Sequence, residues 1–158
     1  MRSLAKALTG ITVVIVLLFI YILYSARLHV VLVDVSVQSA SEQETIFRNV
    51  QASAARGEAG ITIFDSDFNR SADQYDFISL TYEITNFGLF PAEWLDLNVI
   101  PGAGDQLQVS ELLPDISGLR KARLTTVILT QKGGANIERA AELEYYVLGR
   151  QQQVGITP

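Results

Sequence analysis

The feature that most constrains this chain is an uncharged, apolar stretch of twenty residues, 7–26, which lies between Lys6 and Arg27. A helix of that length spans about 30 Å, which is the thickness of the hydrocarbon core of a bilayer. Few soluble folds can accommodate such a segment at one end of the chain. We therefore predict a transmembrane helix over residues 7–26, preceded by a short N-terminal segment, residues 1–6.

The charges that flank the predicted helix indicate its orientation. Three positive groups, the last of them Lys6, precede it, whereas acidic residues soon follow Arg27. By the positive-inside rule the N-terminus is cytoplasmic and the rest of the chain is extracytoplasmic. Tyr21 and Tyr24 lie near the outer end, where aromatic side chains favour the interface. We expect a single-pass protein of the cell membrane, anchored in the lipid bilayer through Lys6, Tyr21, Tyr24 and Arg27.

Two other interpretations of the apolar stretch stay open. A cleaved signal peptide has a similar start, but the residues before a cut at Ala26 are not the small pair that cleavage requires. The run Lys6-Ala7-Leu8-Thr9-Gly10 before an apolar helix resembles the class III signal of archaeal pilins and archaellins. That resemblance implies a mature chain that begins at Leu8. Its helix would pack among copies of itself, as a homo-oligomer, in a filament or stator.

Composition removes several classes of function. The chain has 158 residues, no cysteine and one histidine, which excludes a disulfide framework, a thiolate zinc site and a cysteine nucleophile. Beyond residue 26 it carries 10 basic and 17 acidic residues, a balance that argues against nucleic acid as a partner. No nucleophile–base arrangement or phosphate-binding motif is recognisable. We expect no enzyme and no catalytic residues.

Alternation of apolar and polar residues with period two dominates residues 27–150, most clearly in 28–38 and 77–85. Turn-forming residues separate these segments. About seven short strands of this kind predict an all-β fold, an antiparallel immunoglobulin-like sandwich over residues 27–150. Residues 42–55 are ambiguous between a helix and an edge strand. The last eight residues, 151–158, are predicted to form a flexible tail.

The centre of the predicted sandwich carries a family resemblance. A strand ends in Asn-x-Gly at Gly88, and Pro91-Ala92 leads into the next strand. A Leu-Pro-x-x-x-Gly turn follows at 113–118. Over residues 78–129 this pattern resembles immunoglobulin-like modules of the CARDB type and the LEA-like sandwiches. The resemblance implies the fold and a setting related to cell adhesion, but no particular activity.

One segment has the spacing of a metal-binding loop. In residues 65–76, side chains that carry oxygen stand at positions one, three, five, seven, nine and twelve, as in a calcium loop. Arg70 replaces the glycine of that pattern, and an aspartate replaces its final glutamate. The candidate ligands are Asp65, Asp67, Asn69, Asp73 and Asp76. Calcium is the one cofactor suggested, and it would make this a calcium-dependent adhesion or ligand-binding module. The alternative is a solvated hairpin loop.

The candidate partner contacts lie in an aromatic-rich turn. Phe87, Phe90, Pro91 and Trp94 either close one end of the sandwich or contact a partner, because exposed aromatic side chains concentrate binding energy. The predicted first strand follows the anchor directly, so the domain stays close to the membrane surface. We therefore expect a non-catalytic accessory or interaction subunit that binds a membrane or envelope protein.

Overall fold

The computed structural model describes residues 2–25, 27–65, 71–133, 137 and 139–157, and the side chains of residues 6–22 in the first helix. Two α-helices, a 3-10 turn at Ala72–Gln74 and nine strands are found in this part of the chain. In chain order the α-helices and strands are α1 (Arg2–Ser25), β1 (Leu28–Ser39), α2 (Glu44–Arg56), β2 (Ile61–Ile63), β3 (Tyr75–Asn86), β4 (Ala92–Val99), β5 (Asp105–Ser110), β6 (Leu113–Ile116), β7 (Lys121–Gln131), β8 (Ala141–Val147) and β9 (Arg150–Ile156).

The strands form two antiparallel sheets. One has the order β1-β3-β7-β5-β2 and the other has the order β6-β4-β8-β9. Alternate residues of both sheets, among them Leu80, Leu97 and Leu143, form a common buried core. The structure therefore confirms the expectation of an all-β antiparallel sandwich.

Helix α2 resolves the ambiguous segment. It covers the outer face of the five-stranded sheet, where Phe47 and Ala54 are buried against the strands. The rings of Phe47 and Tyr75 stack with their centroids 5.6 Å apart. The helix ends at Gly57, whose φ of 64° is the left-handed conformation that glycine adopts without strain. An apolar stripe with helical spacing thus prevailed over an alternating pattern in this segment.

Strand β1 departs from the simple alternation of its sequence. That alternation predicts Val31, Val33, Val35 and Val37 on one face, but the register shifts between Leu32 and Asp34. A bulge of this kind inserts one extra residue and reverses which side chains face each side. Val31 is paired with Glu83, on the outer face, whereas Val35 is paired with the core residue Leu80.

The C-terminal segment corrects the expectation of a flexible tail. Residues Arg150–Ile156 form β9, which pairs with β8 along its whole length. A tight turn at Leu148 and Gly149 makes this hairpin, and both residues have positive φ. Ile156 is buried and Val154 packs against the core, so the three glutamines that precede them, 151–153, hid a strand from composition alone.

Helix α1 contains most of the predicted membrane segment. Its described apolar side chains, from Leu8 to Tyr21, are exposed. Over the described residues, none of the helices meets both the length and the hydropathy that crossing a membrane requires. The transmembrane helix therefore stays a prediction from the sequence.

Candidate functional site

The structure divides the predicted contact residues between two places. Phe87 and Pro91 are exposed on the turn between β3 and β4, whereas Phe90 is half-buried and packs against the core. Trp94 lies on β4 and is 76% exposed. The four residues therefore do not form one patch, and Trp94 belongs to a separate cleft.

Asn86 explains the shape of the turn between β3 and β4. Its buried side-chain amide donates to the carbonyl oxygens of Phe90 at 2.9 Å and Ile116 at 3.1 Å. Its side-chain oxygen accepts from the N–H of Gly88 at 2.8 Å. The Asn-x-Gly pattern is thus the centre of a hydrogen-bonded loop that presents Phe87 to solvent.

A cleft of about 720 Å³ lies between the short edge strand β2 and strand β4. Its lining residues come from β2, β4 and the β5–β6 connection: Gly60, Ile61, Thr62, Trp94, Leu95, Asp96, Leu97, Asn98, Ser110, Glu111, Leu112 and Leu113. A smaller hollow of about 320 Å³ lies on the other side of Trp94, between Tyr146 and Gly149. Trp94 is therefore the wall that two concave surfaces share.

The backbone conformation of β4 keeps the side chain of Trp94 exposed. The β4–β8 register shifts between Glu93 and Asp96, and Trp94 has a φ of 56°. For a residue with a side chain the left-handed region costs about 1–2 kcal/mol, and bulges often redirect a side chain next to a binding site. The only tryptophan of the chain is thus strained and mostly exposed, which points to a role in binding rather than in packing.

Gln108 is buried behind this cleft and holds strand β4, which carries Trp94 and Leu97, in place. Strand β6 pairs with β4 only at Ala92, Glu93 and Leu95, so the next part of β4 lacks a strand on that side. The Gln108 side chain takes that place: its amide donates to the carbonyl oxygen of Leu97 at 2.6 Å, and its oxygen accepts from the N–H of Val99 at 2.8 Å. Gln108 thereby joins the two sheets and pairs backbone groups of β4. Ser110 Oγ adds a second hydrogen bond to the carbonyl oxygen of Leu97 at 3.3 Å.

The cleft is acidic and apolar. Of the described residues that line it, Asp96 and Glu111 are the charged ones, and both are exposed. Leu112 and Trp94 add exposed apolar surface. An aromatic face attracts a cation within about 6 Å, and carboxylates form charge-assisted hydrogen bonds with ammonium or guanidinium groups. This combination suits a ligand that carries both basic and apolar side chains.

The predicted calcium ligands are only partly described. Asp67 and Asn69 lie outside the described residues, as does the side chain of Tyr24 in the predicted anchor. Asp73 accepts a hydrogen bond from Ser71, and Asp76 is paired with Thr130 in the ladder between β3 and β7. Where the structure describes the chain, no group of three or more acidic or histidine residues could hold a metal ion.

Sequence reasoning missed a buried ion pair at the end of the sandwich opposite the β3–β4 turn. Arg139 donates from Nε to Asp105 Oδ2 at 2.7 Å and from Nη2 to Oδ1 at 2.9 Å. The side chains of Arg139 and Asp105 are 4% and 0% exposed. Burial raises the pKa of Asp105, but hydrogen bonds from Arg139 and from the N–H of Gly102 outweigh it, so the pKa lies below its usual value. The pair fixes the loop before β8 to the start of β5.

In comparisons with known proteins, no protein-family profile matches this chain, and no curated protein matches its sequence. The assignment of a function therefore depends on the cleft and on the sequence.

Proposed function

We propose that this chain is a single-pass membrane protein whose extracytoplasmic, immunoglobulin-like sandwich is a non-catalytic interaction subunit. Its binding site is the cleft beside Trp94, and its partner is an extended protein segment that carries basic and apolar side chains. The observation that carries the proposal is the strained and exposed Trp94 in an acidic, apolar cleft.

The strand order supports the immunoglobulin-like assignment. The neighbours β1-β3-β7-β5 and β4-β8-β9 correspond to the ABED and CFG sheets of the constant-type immunoglobulin fold. The additional strands β2 and β6 extend the two sheets at the side where the cleft opens. The proposed binding site thus lies between β4, which belongs to the common arrangement, and the segments that this chain adds to it.

The short connection between α1 and β1 supports a location at the membrane surface. Helix α1 ends at Ser25 and β1 begins at Leu28. Three residues span at most about 10 Å, so an anchored helix keeps the sandwich next to the bilayer. A cleft that opens at the side of a sandwich in this position is accessible to a neighbouring protein in the same membrane.

Anchoring is tested with the full chain expressed in cells. We expect the wild-type protein to stay in the membrane fraction after alkaline carbonate extraction and to keep its N-terminal Met1 or Arg2. Replacement of Val14 and Leu18 by lysine should release the chain, since each charge at the centre of a span costs about 3 kcal/mol.

The matched variant, with Val14 and Leu18 replaced by alanine, should remain anchored. Extraction of the wild-type chain by carbonate would contradict the proposal. A mature chain that begins at Leu8 would favour the filament alternative instead.

Binding in the cleft is tested through Trp94 itself, because its fluorescence is the only tryptophan emission of the chain. The full chain in a neutral detergent is titrated with a hexapeptide of alternating lysine and valine. We expect a saturable change in the emission of Trp94. Replacement of Asp96 by asparagine and Glu111 by glutamine should weaken binding about fivefold, because two exposed ion pairs are lost.

Two controls make this titration specific. A peptide with glutamate in place of lysine should not bind, and replacement of Glu42 and Glu44 by glutamine removes the same charge away from the cleft without changing the affinity. Equal binding of both peptides would contradict a cleft selective for cations. A response to neutral oligosaccharides in place of the lysine peptide would indicate a carbohydrate-binding site and overturn the proposed ligand.

A further inference from the structure

Three turns meet at the end of the sandwich where β1 begins. Leu28 at the start of β1 is paired with Asn86 at the end of β3, and β7 begins beside the same residues. The turns 87–91 and 117–120 connect the two sheets there, and the β8–β9 turn, 148–149, lies beside the start of β4. We call these three turns, with the start of β1, the α1 end of the sandwich, because α1 enters there.

Each turn of the α1 end presents a large apolar side chain to solvent. The residues concerned are all more than half exposed: Phe87, Leu89, Leu119 and Leu148. Leu119 and Leu148 also have φ values of 58° and 51°, a conformation that glycine and asparagine adopt far more readily. A leucine at such a position gains nothing from packing, so its presence in two turns at one end of the domain indicates contact with another apolar phase.

The turns hold these side chains in fixed positions. The N–H of Leu119 donates to the carbonyl oxygen of Gly88 at 3.0 Å. A Cβ on Gly118 would lie 2.4 Å from the carbonyl oxygen of Leu89, so the two connecting turns are in close backbone contact. The N–H of Leu28 donates to the hydroxyl oxygen of Tyr145 at 3.1 Å, which joins the start of β1 to the second sheet.

Charge is distributed unevenly along the sandwich. Of the 10 basic residues beyond residue 26, half lie at or next to the α1 end: Arg27, Arg120, Lys121, Arg123 and Arg150. The acidic residues near this end are Glu83, Glu93 and Asp115. Lys121 forms an ion pair with Glu83 at 2.7 Å, whereas Arg120 and Arg150 are exposed at the turns. Among the described residues, the opposite end has six acidic residues and three basic ones: Glu42, Glu44, Asp65, Asp73, Asp76 and Asp105 against Arg48, Lys132 and Arg139.

We propose that the α1 end docks directly on the bilayer, with its apolar turn residues at the headgroup boundary and its basic residues on anionic lipid phosphates. Exposed apolar side chains next to basic ones are the combination that binds a membrane interface. The occupant follows from the chain itself, because α1 joins this end within three residues. The inference rests on the proposed anchoring and adds a fixed orientation, in which the acidic end points away from the membrane and the cleft opens sideways.

The full chain is tested in phosphatidylcholine vesicles with and without phosphatidylglycerol. Because it has no cysteine, single substitutions Leu119→Cys, Leu148→Cys and Glu42→Cys carry a fluorophore at one position each, and doxyl-labelled lipids quench it. We expect several-fold stronger quenching at positions 119 and 148 than at 42, and more with the anionic lipid. The double variant Arg120→Gln, Arg150→Gln should lower the docked fraction. We expect the equilibrium constant for docking to fall by a factor of about five for each basic residue removed.

A second pair of variants separates docking from folding. Asparagine suits the left-handed conformation, so Leu148→Asn in the chain labelled at position 119 should leave the melting temperature unchanged or higher, while quenching falls. Leu119→Asn in the chain labelled at position 148 should behave in the same way. A loss of stability together with the loss of quenching would assign these leucines to the fold and overturn the proposal.

Failure of docking and failure of anchoring give different results. If the chain floats with the vesicles but the labels at positions 119, 148 and 42 are quenched equally, the docking alone is overturned. A chain that does not float overturns both. The labels could instead be shielded from aqueous quenchers without being quenched by the doxyl lipids. If this shielding increases with the density of the protein in the vesicles, a second copy of the chain covers the α1 end. That result would overturn the lipid assignment.

Discussion

Replacing Arg139 by methionine should lower the free energy of unfolding by about 3–5 kcal/mol at neutral pH, the cost of leaving one partner of a buried ion pair alone. Asp105 would keep its hydrogen bond from the N–H of Gly102, but it would lose both guanidinium contacts. Chemical denaturation of the full chain in detergent, followed by the fluorescence of Trp94, measures the loss.

The pH dependence of this variant should have the opposite sign from that of the wild type. In the folded wild type the pKa of Asp105 is lowered. The carboxylate therefore adds to the free energy of unfolding at pH values above the pKa of the unfolded state, about 4. This contribution is lost as the pH falls through the lower pKa of the folded state. Without Arg139, burial dominates and the pKa of Asp105 rises. The folded state then binds the proton more tightly, and the variant should gain stability relative to the wild type as the pH falls toward 4.

The double variant Arg139→Met with Asp105→Asn is the control. A neutral amide still accepts the N–H of Gly102 and leaves no buried charge, so much of the lost stability should return and the reversed pH dependence should disappear. A single variant Arg139→Met with the stability and the acid profile of the wild type would show that the pair contributes nothing.

Gln108→Leu should lower the free energy of unfolding by about 1–3 kcal/mol. The substitution leaves the N–H of Val99 without the partner that Gln108 provides, and a buried unpaired group costs about 1–3 kcal/mol. The carbonyl oxygen of Leu97 loses the amide of Gln108 but keeps a hydrogen bond from Ser110 Oγ at 3.3 Å. Because Leu97 lines the cleft and Gln108 holds its backbone, binding of the lysine peptide should weaken as well.

Gln106→Leu provides a matched comparison two residues away. Gln106 is equally buried, but its amide donates to the carbonyl oxygen of Gly104 at 3.1 Å and its side-chain oxygen has no partner among the described residues. Its replacement should therefore cost clearly less than that of Gln108. Equal losses for the two variants would mean that burial of an amide, and not the bridge between the sheets, determines the effect.

The sequence indicated residue types for a candidate site, but not which of them lie together. An exposed tryptophan in an aromatic-rich segment was recognisable as a contact candidate, and Trp94 does line a cleft. Its neighbours in the sequence, Phe87 and Phe90, lie elsewhere, because a β-strand carries successive residues away from a turn and onto different faces. The other walls of the cleft come from β2 and from the β5–β6 connection, whose proximity depends on sheet pairing across tens of residues.

The sequence by itself determined the local structure: alternation with period two indicated strands in an all-β domain, and an apolar stripe at helical spacing allowed α2. These patterns are properties of neighbouring residues, so no tertiary contact is needed to recognise them. Only the tertiary structure decided the bulge in β1, the Asp105–Arg139 pair and the meeting of three turns at the α1 end. Each of these depends on the register between strands far apart in the chain, which the packing of the whole core selects.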